Sequence, residues 1–392
     1  MAKAIVNCND AVNDPRLSAF GAFSGHRSAF GADGDVRPRR IAHGMGNSQL
    51  SAAKKAKNDE FYTQLTDIEK ELRHYRRHFR GATVLCNCDD PFESNFFKYF
   101  VLNFNRLGLK KLIATCYEGS AVAEYCNGKA KPYKAVVTTV HDTTGDGGVD
   151  MEDVRNLFEL GENELAELDG NGDFRSEECL ALLDEADIVV TNPPFSLFRE
   201  YVSVLMEHQK KFIIMGNINA VTYKEFFPLI KDGLVWPGAS FNKTMEFILP
   251  DDYQKWNYRM ADGRKAGKVP TIAWYTNLDI KKRHEELILV KKYAGHEDEY
   301  PTYDNYDAIE VSKVVDIPFD YDGVMGVPIT FLDKYSPEQF EIVGMAAGNT
   351  RATGFYFDVP YKPHPEDRGG CGVVNGKRVY ARYLIRNKHP EL

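Results

Sequence analysis

A series of short apolar runs, each ending on polar residues and separated by stretches of helical character, limits what this chain can fold into. Thr83–Cys88, Lys111–Tyr117, Lys134–Val140, Asp187–Thr191 and Lys211–Met215 are expected strands, followed by Met245–Leu249 and Thr271–Asn277. Strands alternating with helices predict an α/β fold whose mostly parallel sheet is covered on both faces. Ligands of such sheets bind beyond the carboxyl ends of the strands. Asp89, Glu118 and Asn192 all fall at such ends.

The fourth run is followed by Asn192-Pro193-Pro194-Phe195. Proline locks its own φ and extends the residue before it, so the Asn192 side-chain oxygen and the Pro193 carbonyl would be fixed acceptors. Phe195 would supply a ring to stack on. Together these residues suit a planar amine such as the exocyclic amine of adenine, whose lone pair is delocalised into its ring until hydrogen bonds to acceptors localise it. Methyl transfer from a sulfonium donor then needs mainly near-attack positioning, with no general base strictly required. The plain alternative is a strand that ends in a proline turn.

Other residues on the same edge fit a sulfonium cofactor. Asp89 suits the amino group of a methionine moiety, and the turn holding Pro91 and Ser94 opens a helix whose amides suit its carboxylate. Glu118 suits a pair of ribose hydroxyls, while Asp173 and Phe174 suit an adenine amine and ring. Each taken singly reads as a cap or turn former; jointly they describe a pocket for S-adenosylmethionine. Asp89-Asp90-Pro91-Phe92-Glu93-Ser94 occupies the place where a Gly-x-Gly loop would follow the first strand. That argues against a dinucleotide site.

The chain has 392 residues, 43% of them hydrophobic, enough for one large core or two smaller ones. It shows no bilayer-length apolar run and no signal-peptide pattern, so a cytoplasmic protein without membrane association is expected. Its seven scattered cysteines suggest neither a disulfide framework nor a zinc site, and Cys86 and Cys88 read as alternating core residues of a strand. A net charge of −8 confines any nucleic-acid surface to a local basic patch. Residues 1–44, rich in Gly, Ala, Ser and Arg without periodicity, read as a flexible tail. Residues 45–300 read as the catalytic domain and 301–392 as a smaller α+β region suited to target recognition. In that region Lys377–Arg386 alternates basic and aromatic residues, as does an ordinary amphipathic strand. Helices are expected at Asp67–Phe79, Asn95–Asn105, Met151–Phe158 and Leu278–Lys292.

Three longer runs, KKAKNDEFYTQLTDIE (54–69), VLCNCDDPFESNFFKYF (84–100) and IVVTNPPFSLF (188–198), resemble the EcoRI-type adenine-specific DNA methyltransferases, and the likeness extends from about residue 45 to the C-terminus. The resemblance implies a Rossmann-like S-adenosylmethionine-dependent methyltransferase sheet and N6-methylation of adenine in duplex DNA. It also implies an orphan enzyme or one with a cognate restriction endonuclease. Carried over by position, Asn58, Phe61, Tyr62 and Thr63 would help hold the cofactor, Asp89 is the first-strand acid, and Asn192, Pro193, Pro194 and Phe195 form the catalytic motif. The flipped-out base would need a wall opposite Phe195, for which Trp236, Phe241 and Trp256 are candidates.

Two alternatives stay open at this stage. An Asn-Pro-Pro-aromatic clamp also accepts amines in RNA or a protein glutamine amide. Asp142–Asp153 copies part of a calcium loop, which would make the chain a non-catalytic, calcium-stabilised binding module; its twelfth residue is Asp rather than Glu and a strand precedes it, so an acidic turn capping the helix Met151–Phe158 is the favoured reading, with no metal site.

Overall fold

The computed structural model describes residues 62–88, 90–91, 94–117, 132–248, 258–259, 263 and 265–391. The expected tail 1–44, together with Asn58, Phe61, Asp89, Glu118 and Trp256, lies outside the described residues.

In chain order the first twelve strands are β1 (Tyr62–Thr63), β2 (Thr83–Cys86), β3 (Lys111–Thr115), β4 (Tyr133–Val137), β5 (Glu164–Glu167), β6 (Ile188–Thr191), β7 (Lys211–Asn217), β8 (Trp236–Pro237), β9 (Met245–Ile248), β10 (Tyr258–Arg259), β11 (Lys265–Val269) and β12 (Ile272–Thr276). Eight form the main sheet in the order β5-β4-β3-β2-β6-β7-β12-β8. Its centre, β3-β2-β6-β7, is parallel. Both flanks are antiparallel, which corrects the expectation of a mostly parallel sheet. Between β7 and β12 the chain adds β8 to the edge of the main sheet and β9, β10 and β11 to a small antiparallel sheet of order β1-β9-β11-β10, and β12 pairs antiparallel with β7. β4 alternates buried and half-buried residues, the pattern of a strand whose second face is only partly covered.

The central strands send alternate side chains to two cores. Val84, Cys86, Ile188, Val190, Ile213 and Met215 face the helices Leu65–Leu72 and Asn95–Leu102. Leu85, Val189, Phe212 and Ile214 face the helices Glu177–Glu185 and Phe198–Glu207. At roughly 1.5–3 kcal/mol per fully buried aliphatic side chain, this two-sided burial dominates the stability of the fold.

Two helix expectations change. The stretch Asp67–Phe79 is divided into Leu65–Leu72 and Arg76–Phe79, with Tyr75 between them donating to the buried Glu71 carboxylate at 2.8 Å. The expected helix Leu278–Lys292 reduces to one 3-10 turn, Lys281–His284. Beyond it the backbone N–H and C=O of Leu287 pair with the Gln339 side chain at 2.7 and 2.8 Å, and Ile288 and Val290 are exposed. An extended segment held by a distant amide has replaced the local helical ladder.

The C-terminal strands are β13 (Ile309–Glu310), β14 (Met325–Pro328), β15 (Phe340–Ala346), β16 (Val373–Val374), β17 (Lys377–Arg378) and β18 (Arg382–Asn387). Four form a sheet in the order β13-β14-β18-β15, and β16 pairs with β17. Met325, Ile342, Tyr383 and Ile385 join the second core of the main sheet. Tyr383 also donates to the Val221 carbonyl at 2.7 Å.

Asp367 fixes the loop before β16. Fully buried, it accepts from the amides of His364 and Gly369, both at 3.0 Å, from the Tyr361 hydroxyl at 2.6 Å and from Arg351. Burial alone would raise its carboxyl, but these donors hold it down to about 2. A depressed carboxyl contributes stability that is present above the unfolded value and lost as pH falls through the folded value. Asp367→Asn is therefore expected to cost on the order of 2 kcal/mol at neutral pH. In paired thermal melts the gap to wild type should close as pH drops from about 4 toward 2.

Candidate active site

The carboxyl edge of the central strands begins with a strained turn. β2 ends at Cys86, and Cys88 lies beyond it with φ +78°, so it is not the alternating strand residue expected. A left-handed non-glycine residue costs on the order of 1–3 kcal/mol and persists only where its surroundings fix it. Asp90 and Pro91 follow, both buried, and Asp90 accepts from the Tyr133 hydroxyl at 2.8 Å. Ser94 caps the helix Asn95–Leu102, its Oγ accepting from the Phe96 amide at 3.2 Å. Asn95 Nδ2 in turn donates to the Thr63 carbonyl at 2.7 Å, and the Thr63 hydroxyl donates to Met215 Sδ at 3.2 Å. Thr63, Asp90, Pro91 and Ser94 thus gather around the end of β2 and the opening of one helix. Tyr62 belongs to β1 through its backbone, which pairs with Ile248.

Over the neighbouring strand lies the loop holding Asp173 and Phe174. Gly172 has φ +77°, and a Cβ there would fall 2.1 Å from the Cys116 carbonyl oxygen, so only glycine lets the loop rest on the end of β3. Asp173 is clasped by Arg175 at 2.9 and 2.7 Å, which holds its carboxyl below the usual range. Arg175 also reaches Glu200 at 2.7 Å, in the first turn of the helix Phe198–Glu207. Phe174 is buried edge-on against Tyr201, with ring centroids 5.0 Å apart.

Asn192 and Pro193 are buried at the end of β6, while Pro194 and Phe195 are half-buried and Phe195 packs on the first core. The Leu197 amide donates to the Pro194 carbonyl at 2.9 Å, closing the turn into the helix. Among the described residues nothing donates to the Pro193 carbonyl. Phe198 seats this helix on β7, because a Cβ on Gly216 would lie 2.4 Å from the Phe198 ring. The clamp is therefore carried by a helix docked directly on backbone.

One buried group joins the clamp to the β2 turn. Thr191 Oγ1 donates to the Asn87 backbone carbonyl, and the Tyr201 hydroxyl donates to the Asn87 side-chain oxygen. Asn87, Thr191 and Tyr201 are all buried. Burial pushes the Tyr201 phenol well above its ordinary range and keeps it a neutral donor. None of the three stood out in the sequence. The available signal was a polar Asn inside the apolar run VLCNC; the pairing with Tyr201, 114 positions away, leaves no local trace.

Two candidate walls for a base are occupied otherwise. Trp236 donates to the Leu278 carbonyl at 3.1 Å under Arg283, 3.5 Å from its ring, and Phe241 is fully buried. The calcium-like loop is a capping device, as expected. Asp153 accepts from Thr143, Thr144 and Asp150 and completes a capping box on the helix Met151–Asn156, while Asp142 accepts from the Gly145 and Gly147 amides. Both carboxylates are thereby committed to local donors.

Comparison with known proteins places this geometry in context. The family model described as "Adenine-specific methyltransferase EcoRI" matches residues 49–388. The chain is 45% identical over 357 residues to the type II methyltransferase M.EcoRI of Escherichia coli, covering 89% of this chain and 99% of that protein. It is 38% identical to the type II methyltransferase M.MpnI of Mycoplasma pneumoniae, covering 86% and 98% respectively. The type II methyltransferase M.MgeORF184P of Mycoplasma genitalium is 36% identical over the same shares. No solved structure matches the chain.

Removing the Tyr201 hydroxyl while keeping its ring tests the buried link. Tyr201→Phe is expected to lower kcat for methyl transfer roughly tenfold with KM changed less than about threefold, because it loosens positioning rather than binding. A fall in KM and kcat together, or none in either, counts against that role.

Proposed function

The chain belongs to the EcoRI adenine-specific methyltransferase family, and from that premise we propose that it methylates N6 of adenine at a specific site in duplex DNA. S-adenosylmethionine is the proposed donor. The observation that carries the reading is the Asn192–Phe195 turn, which sets a buried amide, a carbonyl and a half-exposed ring at the end of β6. The fixed Asn192 oxygen and Pro193 carbonyl are suited to accept the two N6 hydrogens, drawing the lone pair out of conjugation. Phe195 is the stacking surface for the extruded base.

The neighbouring turns suit the donor. Thr63, Asp90, Pro91 and Ser94 line the β2 end and a capped helix N-terminus, where partial positive charge favours the methionine carboxylate. Asn58, Phe61, Tyr62, Asp89 and Glu118 complete the proposed set, and Asp173 with Phe174 stands over β3. Because Arg175 holds the Asp173 carboxylate, the loop would approach the cofactor adenine as a preformed unit. When bound, S-adenosylmethionine would supply an electrophilic methyl group, the N6–carbon bond forming as the carbon–sulfur bond breaks, with S-adenosylhomocysteine as the thioether leaving group and the surplus N6 proton released to solvent. The chain's own part is to hold, orient and exclude water, consistent with a transfer that depends on near-attack geometry.

We further propose that residues 301–392 supply target recognition and that a cognate restriction endonuclease accompanies the protein, as the type II names of its relatives suggest. Among the described residues no helix is long and apolar enough to cross a membrane.

Asn192→Ala is expected to lower methyl transfer to duplex DNA by at least about a hundredfold, with S-adenosylmethionine affinity within about threefold of wild type. Tritiated transfer and nucleoside mass spectrometry measure the first; calorimetry measures the second. Transfer to RNA or to a protein glutamine in preference to duplex DNA would redirect the assignment.

A further inference from the structure

The alternating run Lys377–Arg386 does not present one basic face. β18 is an inner strand of the C-terminal sheet, paired with both β14 and β15. Its Arg382 is half-buried and paired with Glu310 at 2.6 Å, and Tyr383 is fully buried. Arg386 points outward but lies 3.7 Å from Glu341. What remains unengaged is the hairpin ahead of it. β16 and β17 are joined by Asn375-Gly376, with φ +49° and +71°, the left-handed pair that two-residue hairpins require. Lys377 and Arg378 are exposed and have no ion-pair partner among the described residues. Tyr380, just beyond, is 89% exposed.

This hairpin is fixed rather than loose. The Asn305 side chain accepts from the Val373 amide at 2.9 Å and donates to the Cys371 carbonyl at 2.8 Å. Asp304 holds the Gly376 amide at 2.7 Å. A rigid two-stranded ribbon tipped with cations and an uncovered aromatic ring has the dimensions and charge to enter the major groove.

A crevice lies between the strand after the hairpin and the helix after the clamp. Ala381, the residue after Tyr380, lines a crevice of about 370 Å³ together with Gly348 and Asn349 of the C-terminal region and Arg199, Tyr223 and Lys224 of the catalytic side. Arg199 is the second residue of the helix Phe198–Glu207, four positions after Phe195, and rests over the Tyr223 ring at 4.9 Å. Lys224 is exposed, again with no ion-pair partner among the described residues. Arg199 also pairs at 3.8 Å with Glu225, which lines the same crevice, so on a chain of net charge −8 the cations left for a polyanion are Lys224 here and Lys377 and Arg378 on the hairpin.

We propose that the β16–β17 hairpin with Tyr380 enters a groove of the target duplex while Lys224, together with Arg199 once it exchanges its Glu225 partner, holds phosphates of the same duplex along the adjoining crevice. The proposal rests on the DNA-methyltransferase reading and adds the surface by which the duplex is held. Lys377 and Arg378 contact phosphate, and Tyr380 contacts bases.

The test uses full-length protein and a duplex carrying the site that the wild type methylates, located by sequencing DNA from expressing cells. Fluorescence anisotropy across a salt series should show the slope of log affinity against log salt reduced by about 2 in the double variant Lys377→Gln/Arg378→Gln, at about 0.9 per phosphate contact. Tyr380→Ala should lower the ratio of specific to non-specific affinity by about tenfold, the scale of one lost base contact. Melting temperature and cofactor affinity should match wild type, since these side chains are exposed. Variants that keep both the wild-type slope and the wild-type ratio, in a protein that methylates DNA, overturn the proposal alone. A wild type that transfers no methyl group to any duplex overturns the underlying reading as well.

Discussion

Everything at the proposed active edge depends on four parallel strands buried on both faces. β3, β2, β6 and β7 carry hydrophobic side chains up and down, so neither core can rearrange without the other. Parallel strands also end together, and their carboxyl ends collect the β2 turn, the Gly172 loop and the Asn192–Phe195 clamp on one rim. A rim assembled this way inherits the rigidity of the sheet, which suits a reaction governed by placement rather than by proton transfer.

That rim is tied internally by a few polar contacts. Asn87 receives Thr191 from the adjacent strand and Tyr201 from the helix behind the clamp, while Arg175 joins Asp173 to Glu200 on the same helix. The strained Cys88 sits beside this junction. Strain at such a position is held by surrounding contacts, and its location at the proposed cofactor turn fits the tendency of strain to gather where ligands are held. No glycine-rich loop is needed when a left-handed residue and a capped helix provide the same bend.

The C-terminal sheet is joined to the catalytic part by a shared core and by Tyr383 on the Val221 carbonyl. Its orientation toward the clamp is therefore set by packing, and the crevice between the two parts has a defined shape. An acidic chain that handles DNA must concentrate its cations, and the exposed Lys377 and Arg378 on the hairpin are the basis of the surface proposed for it.

Sequence alone determined the alternation of strands and helices, the position of the Asn192–Phe195 turn at the end of β6, the Ser94 cap and the family resemblance, because each is written in contiguous residues with a local physical reason. Strand direction at the flanks was not legible, since an apolar run such as Ile272–Thr276 looks the same whichever way it pairs. The helix expected over Leu278–Lys292 failed because Gln339, distant in the chain, satisfies the Leu287 backbone. Only the tertiary structure brought Tyr201 to Asn87, turned Arg382 inward to Glu310 and left Lys377, Arg378 and Tyr380 facing water. Those outcomes are decided by which groups compete for burial and for hydrogen bonds across long stretches of chain, 114 positions for Tyr201 and 72 for Arg382, information that no local pattern carries.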